Sequence, residues 1–514
     1  MTLLRNRLRG DMEVPDGLIA IGELESSLKS EISGSTRLLP RSPLESVAIA
    51  NSKDLAVWIQ GKTSGTFNPA PELVIAASKP SHGIRPLQFW PLPERVLYRA
   101  LADKLEPSLK APAKNRGSYD DFLSLPLTAK SAKYVLTADV AACYQYIDHE
   151  ILERELLAQT GSFAIVRSIL LLLSEVTGKN YGLPQQSAPS DLLAEAYLDQ
   201  VERRLLRRGI AVWRYNDDFR LAFSDWPSTV AGLEQLEEAC RSLGLTLNES
   251  KTVPYKIINY MSSIARDHNA RHTVASDAEL DIPGITSEYE EDDGEELEDP
   301  NADAAIAVLR EWERIAGSGT LLEEVSTEHY KAVLFTMSHA FRHLEAESST
   351  DPDSIRISTS MLRYEQQLTP AIARFLSSRK GVGEKLVVDS LTDLLRNGAY
   401  FTQWQSLWLS SVFTDNAEFT VGATADDRIS WAEKLIADPR SNEAVRAALV
   451  LMLAKHKQIA EDQILGIYDR TGPAARPYLA AALGFAGFQG RATLAAAGEN
   501  LLQDLVYKWA FANA

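Results

Sequence analysis

Apolar and polar positions alternate through Ala211–Tyr215 and again from Phe219 to Phe223 in the stretch AVWRYNDDFRLAF. A period of two predicts two strands, joined by Asn216, Asp217 and Asp218 at an exposed hairpin tip. A different pattern lies upstream. In KYVLTADVAACYQYIDHEIL a continuous apolar run ends at Asp139 and gives way to helical spacing through Ile147 and Ile151. That predicts a strand with Asp139 at its end, pointing out of a sheet edge. Beyond about residue 305 helical spacing dominates, as in KAVLFTMSHAFRHL and EAVRAALVLMLAKHK, and AVRAALVLMLA from Ala444 is faintly repeated thirty residues on as AARPYLAAALG from Ala474. A repeat of this period predicts stacked helical pairs.

Composition sets the organisation around these elements. A chain of 514 residues suggests two to four domains, and its 45% hydrophobic content is ordinary for a globular protein. No apolar run would span a bilayer, MTLLRNRLRGDME lacks the apolar core of a secretory signal, and the two cysteines, Cys143 and Cys240, do not suffice for a disulfide framework or a zinc ribbon. A cytoplasmic protein is expected. The net charge of -17 is unevenly spread: Lys plus Arg and Asp plus Glu nearly cancel over residues 1–270, and the excess acidity lies beyond them. From Asp281 to Asp303, eleven acidic residues with Pro283, Gly284, Gly294 and Pro300 as breakers predict a solvated linker or insertion. Arg203, Arg204, Arg207 and Arg208 form a local basic cluster that suits phosphate contacts or a solvated helix face equally. GVGEK at Gly381 lacks the spacing of a phosphate-binding loop, and HAFRH places His339 and His343 one turn apart without the glutamate of a zinc motif.

Two aspartates in an isolated hairpin are ordinary turn chemistry. Asp139 changes that picture. With Asp217 and Asp218 it supplies three carboxylates from two elements, enough oxygen ligands for two magnesium ions together with water and a triphosphate. Such a pair of metals activates an attacking hydroxyl and stabilises the leaving oxygen of an in-line displacement.

Five motifs in order carry a resemblance to reverse transcriptases over roughly residues 70 to 255. GLPQQSAPSDLLAEAYLDQVERRL, from Gly182, resembles motif B; Asp139 with Tyr144 resembles motif A; Tyr215-Asn216-Asp217-Asp218 resembles the Y-x-D-D of motif C. KPSHGIRPLQFWPLPERVLYRALADKLEP resembles the fingers segment of group II intron and bacterial enzymes, and LGLTLNESKT resembles motif D. The resemblance implies that Asp139, Asp217 and Asp218 are catalytic and hold Mg2+ (or Mn2+), Asp218 being the least essential. It implies that Lys79 and Arg85 bind the incoming triphosphate, that Tyr144 lies under the sugar and rejects a 2′-hydroxyl, that Gln185 touches the nucleotide, and that Lys251 protonates pyrophosphate. Tyr144 as a core aromatic is the plainer alternative. One departure stands out: Gln186 occupies the position of the usual glycine after PQ, where backbone approaches template or primer.

After motif D no primer grip, maturase segment, RNase H cluster or HNH nuclease follows. A reverse transcriptase module joined to a helical domain resembles the abortive-infection (Abi) defence enzymes of bacteria. The fold expected is α+β, with reverse transcriptase fingers and palm followed by an all-α helical-repeat (HEAT-like) domain. The expected division is N-terminal region and fingers over 1–135, palm over 136–265, acidic linker over 266–304 and helical repeats over 305–514. The expected function is DNA synthesis in antiphage defence, from dNTPs, primed by a protein hydroxyl so that the DNA product stays attached, without need of a template, in a homo-oligomer and away from membranes. The alternatives are an enzyme copying an associated non-coding RNA and a scaffold with a retired polymerase fold. No tyrosine precedes Tyr98, which leaves Tyr119, Tyr289, Tyr468, Tyr478 and Tyr507 as priming candidates.

Overall fold

The computed structural model describes residues 12–34, 38–42, 44–79, 83–110, 118–278, 300–317, 327–347 and 351–514. Most of the acidic segment, and with it Tyr289, lies outside the described residues. Eight strands occur among those described: β1 (Met12–Val14), β2 (Gly65–Phe67), β3 (Leu73–Ser78), β4 (Ile84–Phe89), β5 (Tyr134–Asp139), β6 (Ala211–Tyr215), β7 (Asp218–Phe223) and β8 (Val253–Lys256). The rest is largely helical. The chain divides into two compact units that do not follow chain order: Met1–Asp103 with Leu171–Gly178 and Leu344–Ala514, and Lys104–Leu170 with Lys179–His343.

The second unit is built on an antiparallel sheet of order β6-β7-β5-β8. Strand β5 lies inside the sheet, touches the helices Trp226–Ser242 and Ile257–Asp277, and is buried at every residue after Tyr134. That is why its sequence is a continuous apolar run rather than an alternation. Helix Trp226–Ser242 begins at Asp225, whose side chain accepts from the Ser228 amide at 2.9 Å, with Pro227 in the first turn. Its Gly232 is required by close approach, since a Cβ there would lie 2.1 Å from the Phe223 ring. Helix Ala188–Arg207 packs on β6 and on helix His149–Thr160, and its buried Tyr197 hydroxyl, donating to the Leu243 carbonyl and accepting from the Asp148 amide, ties three segments together.

In the first unit the C-terminal helices alternate between two rows. Thr369–Ser378, Gln403–Thr414, Glu443–Lys455, Arg476–Ala486 and Leu501–Ala512 pack each on the next, while Pro352–Met361, Val382–Arg396 and Ala425–Ala437 form a second row. The repeat between Ala444 and Ala474 falls on two successive helices of the first row, most of whose residues are buried. The N-terminal segment belongs to this same unit. Trp404 and Trp408 both donate indole N–H to the Leu38 carbonyl, Asn442 Nδ2 donates to the Val74 carbonyl at 2.8 Å, and Ser78 Oγ donates to Gln366 at 3.1 Å. No helix among the described residues is long and apolar enough to cross a membrane. Both cysteines are buried free thiols.

Candidate active site

Sheet register brings the three aspartates together. Asp139, the last residue of β5, stands opposite Asp218, the first residue of β7, and the Val140 amide donates to the Asp217 carbonyl at 3.1 Å. The turn between β6 and β7 is only Asn216 and Asp217, with Asn216 in the left-handed region at φ 50°. Asparagine tolerates that conformation, which suits a two-residue hairpin. This corrects the expected exposed tip of three residues: Asp218 already belongs to the strand and is buried, and Asp217 is half-buried. Buried Arg214 braces the turn, donating to the Asn216 carbonyl at 3.0 Å and to Glu195 at 2.7 Å.

Each carboxylate has its own surroundings. Asp139 accepts from Lys251 Nζ at 3.0 Å and from Asn248 Nδ2 at 3.1 Å, while the Asn248 amide donates to the Asp139 carbonyl at 2.7 Å. Asp218 accepts from the Tyr119 hydroxyl at 3.4 Å and lies 3.6 Å from Arg220, a buried guanidinium held over the Phe122 ring. Burial, then the charges of Asp139 and Asp218, push the Asp217 carboxyl up to about 6. Burial also raises Asp218, against the pull of Arg220. Burial works against the Lys251 ammonium, but its bond to Asp139 more than offsets this and its pKa lies above the usual value. Desolvated carboxylates that raise one another are an electrostatic complement to a divalent cation. With side chains turned to Lys251, Asn248, Tyr119 and Arg220, no group of three His, Cys, Asp or Glu residues among those described converges as a metal-binding set. The donors themselves, three carboxylates on adjoining strand ends, fit a hard divalent ion.

The motif B loop is knitted to the turn after β5 by backbone bonds. The Leu183 amide donates to the Tyr144 carbonyl at 2.7 Å and the Gly182 amide to the Ile147 carbonyl at 2.8 Å, so Tyr144 and Gln185 are carried on one braced piece. Gly182 has φ 89°, and a Cβ there would meet the Gln145 carbonyl at 3.2 Å. Gln186 is exposed and adopts φ 57°, the left-handed conformation for which the usual glycine is suited; Ala142, just past Asp139, adopts φ 48°. Of the four described non-glycine residues with positive φ, Ala142, Gln186 and Asn216 fall in these motif loops, and the fourth is Lys457.

Lys79 and Arg85 lie in the other compact unit, on the β3–β4 hairpin, where Arg85 pairs with Ala77 and the Lys79 amide donates to the Gly83 carbonyl at 2.8 Å. By strand alternation both cations share the hairpin face of Ile75, Ala77 and Leu87. Of the basic cluster, Arg203 pairs with Glu155 and Asp199, and Arg204 and Arg208 with Glu238. These ion pairs favour a surface role over phosphate binding. His343 is buried and its Nδ1 accepts from the Asn301 amide, and His339 stacks on Phe335, so HAFRH is structural.

Sequence pattern did not point to Asn248, Arg214, Arg220 or the position of Tyr119. For the two arginines a signal existed: a charged residue at a core-facing position of an otherwise apolar strand.

Residues 77–265 match the family described as reverse transcriptase (RNA-dependent DNA polymerase). No curated protein matches the sequence. Among solved structures, apo telomerase from Candida tropicalis is similar at 10% identity over 67% of this chain and 69% of that chain, with a TM-score of 0.28. Telomerase from Candida tropicalis in complex with the TWJ fragment of telomeric RNA follows at 13% identity over 75% and 67%, TM-score 0.28, and that from Candida albicans with the same fragment at 11% over 69% and 64%, TM-score 0.27. By the family match alone, residues 77–265 are a reverse transcriptase domain, a nucleotidyltransferase of the RNA-directed DNA polymerase kind, and the rest of the chain is largely helical. Domains of this kind bind nucleotides and nucleic acid and generally use divalent metal ions.

Proposed function

We propose that this protein synthesises DNA at Asp139, Asp217 and Asp218, begins the strand on one of its own hydroxyls, and does so in antiphage defence of the abortive-infection kind. The observation that carries the catalytic reading is the register of β5 and β7, which sets Asp139 opposite Asp218 with Asp217 beside them. These three carboxylates would hold two Mg2+ ions, with Mn2+ as a substitute. The ions supply positive charge to the attacking oxygen, the triphosphate and the leaving pyrophosphate. The chain's own groups do the rest: Lys79 and Arg85 bind the triphosphate, Gln185 touches the nucleotide, and Lys251, held at Asp139, protonates the leaving pyrophosphate.

Priming is supported by Tyr119, whose hydroxyl lies 3.4 Å from Asp218. In the first transfer its oxygen would bond to the α-phosphorus of a dNTP, the bond to pyrophosphate would break, and Asp218 would take the phenolic proton. The other described candidates are engaged elsewhere: Tyr468 bonds to Gln503, Tyr507 to the Phe488 carbonyl, and Tyr478 lies against Phe89. Gln186, with a side chain where backbone alone usually meets template, supports synthesis without one. The alternating helical rows beside a reverse transcriptase domain support the defence reading, and free thiols at Cys143 and Cys240 suit the cytoplasm.

The test gives labelled dNTPs to the purified full chain, boils it in detergent and separates it on a denaturing gel with and without protease. Label is expected to migrate with the protein until protease is added, and to vanish from Tyr119→Phe and from an Asp217→Ala, Asp218→Ala double variant. Label free of protein before proteolysis would overturn protein priming and favour copying of an associated RNA. Undiminished labelling in the double variant would overturn the catalytic reading.

A further inference from the structure

The Tyr144 side chain is fixed at both ends. At its backbone, the Leu183 amide donates to the Tyr144 carbonyl at 2.7 Å. At its tip, the hydroxyl donates to Asp191 Oδ1 at 2.7 Å, across 47 residues of sequence. Asp191 sits in the first turn of the 20-residue helix Ala188–Arg207, where its amide donates to the Ser187 carbonyl at 3.0 Å and the helix dipole favours a carboxylate. The same helix is anchored in the core at its buried Leu193 and Tyr197. A rigid element thus presents an acceptor to the tip of one particular ring.

We propose that Asp191 is a positioning residue for sugar specificity: its carboxylate holds the Tyr144 ring in the pose that excludes a 2′-hydroxyl. This rests on the reading of Tyr144 as the residue under the incoming sugar. A steric filter discriminates only as well as its blocking group is held. A tyrosine ring free to change χ1 could yield to a ribose at the cost of one rotamer, whereas a ring tied by a charge-assisted hydrogen bond must first break that bond. Burial, then the Asp191 charge, hold the phenol well above its usual pKa, so the hydroxyl remains the donor throughout the working pH range. The sequence alone offers no reason to single out Asp191, an exposed acid near a helix start. The bond to Tyr144 distinguishes it.

The experiment measures incorporation of labelled dATP and ATP by the full chain, with and without an annealed primer–template, in wild type and in Asp191→Ala, Asp191→Asn, Tyr144→Phe, Tyr144→Ala and the Asp191→Ala, Tyr144→Phe double variant. Asp191→Ala and Tyr144→Phe are each expected to raise the ATP-to-dATP ratio about tenfold, the worth of one charge-assisted hydrogen bond. The double variant should exceed neither, because both changes remove the same bond. Asp191→Asn, which keeps an acceptor oxygen but loses the charge, should raise the ratio less than Asp191→Ala. A ratio raised by Tyr144→Ala but untouched by Asp191→Ala and Tyr144→Phe would overturn the role of Asp191 and leave the sugar filter standing. An equal rise in Asp191→Asn and Asp191→Ala would overturn it too, by showing that an acceptor oxygen at this position does not hold the ring. A ratio unmoved by Tyr144→Ala would overturn the filter and this inference together, as would a wild-type chain that incorporates neither nucleotide.

Discussion

At the scale of single residues, Asp217 has the most consequential chemistry. Its carboxyl titrates near 6 instead of 3.8, so between those values the folded protein binds a proton that the unfolded chain has released. The stability of the metal-free protein must then fall as pH rises through that window, by on the order of 3 kcal/mol from this residue, and stay low above it. Thermal melts in chelator should show a drop in Tm from pH 5 to pH 7.5 that is smaller in Asp217→Asn. Magnesium should raise Tm more at pH 7.5 than at pH 5. Equal pH dependence in the variant would mean that Asp217 is not the strained group. Gln186 gives a second prediction. A non-glycine residue at φ 57° costs about 1–2 kcal/mol, partly offset in a glycine variant by the greater freedom of the unfolded chain. Gln186→Gly should therefore stabilise the protein by up to about 1 kcal/mol in urea melts, and a loss of stability would show that the loop depends on the glutamine side chain. The three aspartates were legible because strand period and strand ends are local properties. Asn248 and Tyr119 were not, because each meets its aspartate across about a hundred residues, a distance over which sequence spacing says nothing.

At the scale of elements, the sheet that carries the aspartates depends on how closely helix Trp226–Ser242 approaches it. Alanine in a helix interior usually gains about 1 kcal/mol over glycine. At Gly232 the sign reverses, because a Cβ would meet Phe223 at 2.1 Å and that ring is buried. Gly232→Ala should destabilise the protein by about 1–3 kcal/mol, as overpacked cores do. It should also lower nucleotide incorporation, since Phe223 and Asp218 are the two ends of β7. Adding Phe223→Leu should restore much of the lost stability; a Gly232→Ala variant as stable as wild type would show that the helix can move away. The hairpin β6–β7 was legible from alternation, but its length was not. Asp218 looked like a turn residue, because aspartate favours turns, and register with β5 put it in the strand instead. Arg214 and Arg220 broke the apolar pattern, and each proved to be a brace within the site.

At the scale of the whole molecule, chain order and compact units disagree. The hairpin of Lys79 and Arg85 shares a unit with the C-terminal helices, through Val74 to Asn442, Ser78 to Gln366 and Leu38 to the two indoles of Trp404 and Trp408. Helical spacing announced the helices, but bonds that join residues 288 to 370 positions apart leave no periodic trace, so their union with the N-terminal segment was not legible. It has a direct consequence for truncation. A chain ending at His343 keeps all three aspartates but strips the N-terminal segment of the surfaces that bury it. Trp404 alone is fully buried, and losing one buried tryptophan costs about 3–5 kcal/mol, a large part of what holds a domain together. Hydrogen exchange should therefore become fast at β3 and β4 in the truncated chain while β5 and β7 stay protected, and nucleotide incorporation should be lost although Asp139, Asp217 and Asp218 remain in place. If β3 and β4 kept their protection without residues 344–514, the N-terminal segment would fold on its own.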